Sequence, residues 1–154
     1  DGDTDNRSDR HRGHHASRDP VGHVAGATQG RRVEHTSQQG THNTADAMHA
    51  SWKSGSVVER ESANTIADGI AVRTPVPEAL TDMMGIVDDV LLVSEDGLKS
   101  AMKVVFEKAG LVTEPAGIAG IAAVLEHRAL RGKKLATVLC GSNLTAEQVE
   151  MWLR

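Results

Sequence analysis

Apolar positions are distributed unevenly along the chain. Over residues 1–44 the large apolar side chains are limited to Val21, Val24 and Val33, set among Asp, Arg, His, Gly, Thr, Ser and Gln. Such a stretch cannot bury enough apolar area to offset its ordering entropy, so it predicts a low-complexity polar tail, disordered or irregular. From Ala45 onward Leu, Val, Ile, Met and Ala recur at regular spacing, which predicts an ordered domain over 45–154. Residues 45–54 (ADAMHASWKS) read as a short helix ended by Gly55, with Val57 and Val58 opening an extended segment. Pro77 suits a first helical turn and predicts a helix to about Met84, stopping before Gly85. Residues 89–93 (DVLLV) form a short apolar run, hence a buried strand.

A longer helix follows. Ser94 is placed to cap it, and Glu95 and Asp96 lie against the positive end of its dipole. Leu98, Met102, Val105, Phe106 and Ala109 share one face, Lys99, Lys103, Glu107 and Lys108 take the other, and Gly110 ends the pattern. After a brief extended segment at 111–113, Pro115 opens AGIAGIAAVLEHRAL, apolar nearly all round through Leu125. This predicts a helix buried on most sides, whose Gly and Ala residues admit close approach of backbone or a flat ligand. Residues 135–139 (LATVL) read as a buried strand of a parallel sheet. The turn Cys-Gly-Ser-Asn at 140–143 comes next, and Thr145 with Gln148 forms a capping-box pair that opens a last helix carrying Val149, Trp152 and Leu153. Strands alternating with helices predict an α/β fold, a partial parallel sheet flanked by helices. Ligands of such sheets bind beyond the carboxyl ends of the strands, which is where residues 140–143 fall.

Composition narrows the function classes. With 154 residues, 39% hydrophobic and 25% charged, the chain suits one modest globular domain. A net charge of −4, with no Lys/Arg cluster beside aromatics, points away from nucleic acid and from anionic membranes and toward small molecules or protein as partners. No stretch approaches the roughly 20 apolar residues of a membrane span. The single cysteine, Cys140, excludes an internal disulfide, and a reducing, cytoplasmic location is the default expectation. The first residue is not Met and no apolar stretch follows the early arginines, so the segment does not read as a secretory signal but as part of a fragment or processed chain. Six of the eight histidines lie in residues 1–44, yet they lack the paired spacing and nearby cysteines of a zinc set. An out-of-frame stretch joined to a genuine coding segment suits that composition better than a metal carrier. The pattern specifies no assembly state and leaves a homo-oligomer open.

Three stretches carry a family resemblance: TIADGIAV at 65–72, EPAGIAGIAAVL at 114–125 and VLCGSN at 138–143. In order and separation they resemble the C-terminal half of fold-type II pyridoxal-phosphate enzymes of the threonine dehydratase and serine racemase family. MHASWKSG at 48–55 is similar to a helix that precedes TIADG in some members, and the likeness extends over about residues 45–154. The resemblance implies pyridoxal 5'-phosphate as cofactor and an amino-acid substrate, threonine, serine or a relative, that loses an α-proton and a β-hydroxyl to give a keto acid and ammonia. It places Cys140 facing the pyridine nitrogen, where a neutral thiol holds a proton less firmly than a carboxylate and leaves the ring a weaker electron sink. Gly141, Ser142 and Asn143 would shape the adjoining turn, Glu114 would lie near the ring, and Asp68 and Gly69 would form a turn close to it. Each has a plainer alternative: a buried cysteine at a strand end, a first-turn acid favoured by the helix dipole, an ordinary turn.

The resemblance also sets limits. The family's Schiff-base lysine sits in a Ser-Phe-Lys-type motif and its phosphate is held by a glycine run, and neither occurs in these 154 residues. Ser51-Trp52-Lys53 is only superficially like the lysine motif, and Lys53 reads better as an exposed helix-end residue. The chain alone is therefore expected to lack activity, since covalent catalysis needs the amine and a phosphate needs convergent backbone donors. Some relatives bind a divalent cation upstream of the MHASW-like helix; Glu34 and Asp46 are the nearby acids, and no metal is assigned to them. A non-catalytic α/β remnant or interaction module is the alternative to the lyase reading.

Overall fold

The structure, a computed structural model, describes the backbone of residues 33–38 and all of residues 45–154. Its elements in chain order are β1 (Val33–Gln38), α1 (Ala47–Ser54), α2 (Pro77–Met83), β2 (Asp89–Ser94), α3 (Glu95–Ala109), α4 (Ala119–Glu126) and α5 (Ala146–Leu153). Single 3-10 turns occupy Asp68–Ile70, Ala116–Ile118 and Arg128–Leu130. The described sheet is a parallel pair, β1 beside β2, with Val33 opposite Asp89 and Gln38 opposite Ser94. Strand β1 falls inside the stretch expected to be a polar tail. Its VEHTSQ sequence has no apolar alternation, so nothing in its pattern announces a strand; its main chain pairs with that of β2. The rest of the expected tail lies outside the described residues.

The helix boundaries follow their caps. Gly55 and Gly110 end α1 and α3 in the left-handed region, at φ 71° and 67°, where glycine has no Cβ penalty. Ser94 Oγ accepts the Gly97 N–H at 2.9 Å, satisfying one of the orphan donors of α3. Thr145 and Gln148 close the expected capping box at the start of α5. The core lies where α3, α4 and α5 meet: Leu98, Ala101, Met102, Ile118, Ala122 and Leu153 are buried together, with Val93 of β2 behind them. Leu98, Met102 and Val105 are the buried stripe of α3, whereas Ala109 at its end is exposed.

Two expectations are corrected. The segment after Pro115 is not enclosed: it begins as a 3-10 turn, only Ala119, Ala122 and Ala123 of α4 are buried, and Leu125 is 40% exposed. An apolar circumference describes what a helix can bury, not what is present to cover it. Residues 135–139 are extended but form no strand, and Val138 is 48% and Leu139 37% exposed. A strand requires a hydrogen-bonded neighbour, and no described strand pairs with this segment. Among the described residues no helix is long and apolar enough to cross a membrane.

Candidate functional site

Segments 65–70, 114–120 and 137–143, which carry the chemistry-bearing motifs, come together around Glu114. The Glu114 N–H donates to the Gly141 carbonyl at 3.0 Å, joining the Glu-Pro segment to the Cys-Gly-Ser-Asn turn. Gly141 has φ 69°, which favours glycine, and a Cβ there would push the Glu114 carboxylate aside. On the other side, a methyl at Gly69 would sit 3.1 Å from Ala116 Cβ and 3.9 Å from Glu114 Oε1. Gly69, Glu114 and Gly141 thus line one short wall.

The run lies on α4 and its leading turn, meeting Gly117 with main chain and Gly120 with a side chain. A Cβ at Gly117 would overlap the carbonyl of Cys140, and one at Gly120 would overlap the Thr137 side chain. The sequence predicts only that these glycines permit close approach; the approaching group is the 137–140 segment itself. Cys140 is exposed at the end of that run, its thiol free of any disulfide. Ser142 and Asn143 continue the turn, with the Ser142 carbonyl accepting the Leu144 N–H at 2.9 Å, and both are exposed. Asp68 opens the neighbouring 3-10 turn and is exposed as well.

Other candidates are engaged elsewhere. Lys53 Nζ is 3.2 Å from Asp89 Oδ1 and 5.0 Å above the Trp52 ring, partners that belong to α1 and β2 rather than to the wall. Asp46 receives Nε and Nη2 of Arg60 at 2.7 and 3.0 Å, a two-pronged ion pair. The side chain of Glu34 lies outside the described residues, and among these no group of three or more His, Cys, Asp or Glu converges on a cation site. Burial, reinforced by the nearby Lys53 charge, holds the His49 imidazole below its ordinary value of 6.5, against the opposing pull of Asp46 and Asp89.

Two anchors around the wall have no signal in the sequence. Glu126, at the end of α4, accepts the Ser94 N–H and hydroxyl, and the His127 ring pairs with the Leu92 carbonyl at 2.8 Å, tying α4 to the β2–α3 junction. Glu95, which the sequence marks only as a helix-start acid, is buried and reaches Thr65 and Ile66. Both pairings span about thirty residues, and local pattern carries no trace of them.

The donor set fits the ring edge of a flat aromatic cofactor: a thiol at the run's end, a carboxylate beside it and glycines that keep Cβ atoms away from both. Among the described residues it does not supply a phosphate cradle, because Gly69, the Gly117–Gly120 pair and Gly141 stand on three separate segments rather than in one loop of converging N–H groups.

Comparison with known proteins identifies the family. Residues 22–141 match the family described as pyridoxal-phosphate dependent enzyme, so family-like sequence reaches upstream of Ala45, into the stretch expected to be unrelated. The L-threonine ammonia-lyase of Thermotoga maritima is 35% identical over 104 residues, covering 68% of this chain and 26% of its own length. The phenylserine dehydratase of Ralstonia pickettii is 35% identical over 104 residues, with 66% and 32% covered. Among solved structures, a threonine deaminase from the organism abbreviated T.th. superposes with a TM-score of 0.62 at 33% identity, over 66% of this chain and 33% of that one. Maize serine racemase shares the fold at a TM-score of 0.64 and 24% identity, over 79% of this chain and 37% of that one. The chain therefore spans about a third or less of the length of the curated relatives it matches.

Proposed function

The chain belongs to the pyridoxal-phosphate dependent enzymes, and from that premise we propose that it forms the ring-facing wall of a hydroxy-amino-acid ammonia-lyase acting on threonine, serine or a relative. The carrying observation is the Glu114 N–H to Gly141 carbonyl bond, which joins the two motifs that bracket the ring edge, with Gly69 closing the third side. The bound cofactor supplies an electron-withdrawing ring that labilises the substrate's α-proton. Cys140 would face the ring nitrogen, offering it a thiol in place of a carboxylate. Glu114 would orient the ring, and Gly69 and Gly141 would let backbone approach it. The lysine and the phosphate loop are contributed by other sequence, and a reducing cytoplasm suits the free thiol of Cys140.

Titrating pyridoxal phosphate into the full chain, while following the amide resonances of Gly69 and Gly141, tests the wall. Supplying the lysine-bearing portion of a threonine ammonia-lyase in trans tests the activity: keto acid and ammonia should appear from threonine or serine only when both polypeptides are present. If neither titration nor mixing gives a response, the lyase reading fails. The exposure of Val138 and Leu139 favours a second reading, a non-catalytic module that binds another polypeptide along residues 135–139. That module would bind such a partner without taking up pyridoxal phosphate.

A further inference from the structure

The turn that brings Gly69 to the wall is short, and its lead-in is held by a carboxylate thirty residues later in the chain. Glu95, the first residue of α3, is 7% exposed. One of its oxygens accepts the Thr65 hydroxyl at 2.5 Å and the other accepts the Ile66 N–H at 3.0 Å. Thr65 Oγ1 in turn accepts the Ala67 N–H at 3.1 Å, and the Ala67 carbonyl accepts the Ile70 N–H at 3.0 Å. Bonds therefore run from Glu95 through Thr65 and Ala67 into the turn that presents Gly69, while Ala67 itself is fully buried.

We propose that Glu95 is a positioning residue for the wall, setting the depth at which Gly69 abuts Ala116 and Glu114. This rests on the reading of residues 69, 114 and 140 as ring-facing. Capping does not explain Glu95, because Ser94 already accepts the Gly97 N–H at the start of α3. Its burial is explained by two donors converging on it. An ionised carboxylate has only acceptors and satisfies both at once, whereas a glutamine amide turns a donor toward one of them. Aspartate, one methylene shorter, does not span the gap. The base is rigid: Leu98 and Met102, one and two turns along the same helix, are fully buried. A carboxylate on such a base ties the placement of α3 to a turn that meets the core through Ala67, with Ile66 and Ile70 only partly buried against it.

The test uses the full 154-residue chain without cofactor, comparing Glu95→Gln, Thr65→Val and Thr65→Ser with the parent. The nuclear Overhauser contact between the Gly69 α-protons and the Ala116 methyl reports the placement, and amide exchange at Ile66 and Ala67 reports the anchoring bonds. Glu95→Gln and Thr65→Val should weaken that contact and speed exchange at residues 66 and 67 about tenfold, the amides of Leu98 and Met102 keeping their protection. Thr65→Ser, which keeps the hydroxyl, should behave as the parent. An unchanged Gly69–Ala116 contact in Glu95→Gln overturns the proposal, as does acceleration spread evenly along α3, which would make Glu95 a residue of general stability. Pyridoxal phosphate is added only afterwards. If the parent responds neither to it nor to the added lysine-bearing portion of a threonine ammonia-lyase, the ring-facing reading falls, while the placement of Gly69 by Glu95 has already been decided.

Discussion

The α3–α4–α5 core and the run from 133 to 143 are held by opposite means. In the core, interdigitated side chains do the work: Leu98, Met102 and Ile118 are fully buried, and α3, which carries the first two, is closed by local caps. In the run, side chains are mostly exposed, and contact is made against glycine, by the Cys140 carbonyl at Gly117 and by the Glu114 carboxylate at Gly141. The lesson is that the residues proposed to meet the ring gain their positions from missing atoms rather than from buried ones. Volume lost in the core is costly, and volume added beside the run is costly.

The sharpest way to break this contrast is truncation. Leu98→Ala should lower stability by about 2–5 kcal/mol in urea unfolding, the usual range for a leucine truncated inside a core. Val138→Ala in the run should stay within about 0.5 kcal/mol; an equal loss at both sites would erase the distinction. Enlargement comes next. Gly117→Ala drives a methyl into the Cys140 carbonyl and should cost about 1–3 kcal/mol. Displacement of the run should also change the rate at which Cys140 reacts with a thiol reagent, and an unaltered rate would show that the contact at Gly117 does not place it. Removing a cap tests whether the helix after the run is anchored independently: Thr145→Ala should cost about 1 kcal/mol in thermal or urea unfolding and leave Cys140 reactivity unchanged.

The smallest effect concerns pH. Because the folded chain holds His49 below 6.5, the unfolded chain takes up the proton first as pH falls. The contribution is fully present above pH 6.5 and is lost as pH drops from there through the lowered folded value. Melting temperatures compared from about pH 7.5 to about pH 5.5 should show a shallower decline in His49→Gln than in the parent.

Much of this is legible where the determinant is local. Gly55, Ser94, Gly110 and the Thr145–Gln148 pair mark the boundaries of α1, α3 and α5 because a cap acts within one turn. Residues 89–93 are readable as a strand because an apolar run needs cover on both faces. The same logic misreads 135–139, since apolar character shows that a segment can be buried and not that its neighbour is among the described residues. It also misses β1, whose polar sequence gives no period and whose strand character comes from pairing with β2. At the site, the convergence of residues 69, 114, 140 and 141 follows from resemblance rather than periodicity, and the roles of Gly117, Gly120, Glu95 and Glu126 emerge only when distant segments are placed side by side.

The open flank of residues 135–139 has a consequence for handling the protein. Among the described residues its main-chain N–H and C=O groups find no ladder, and its short apolar sequence, free of charge and proline, is compatible with stacking against copies of itself. Concentrated solutions should therefore tend toward cross-β aggregates seeded at this segment. Lys133 and Lys134, immediately upstream, are the charges that oppose such stacking, so raising the salt concentration, which screens them, should hasten it.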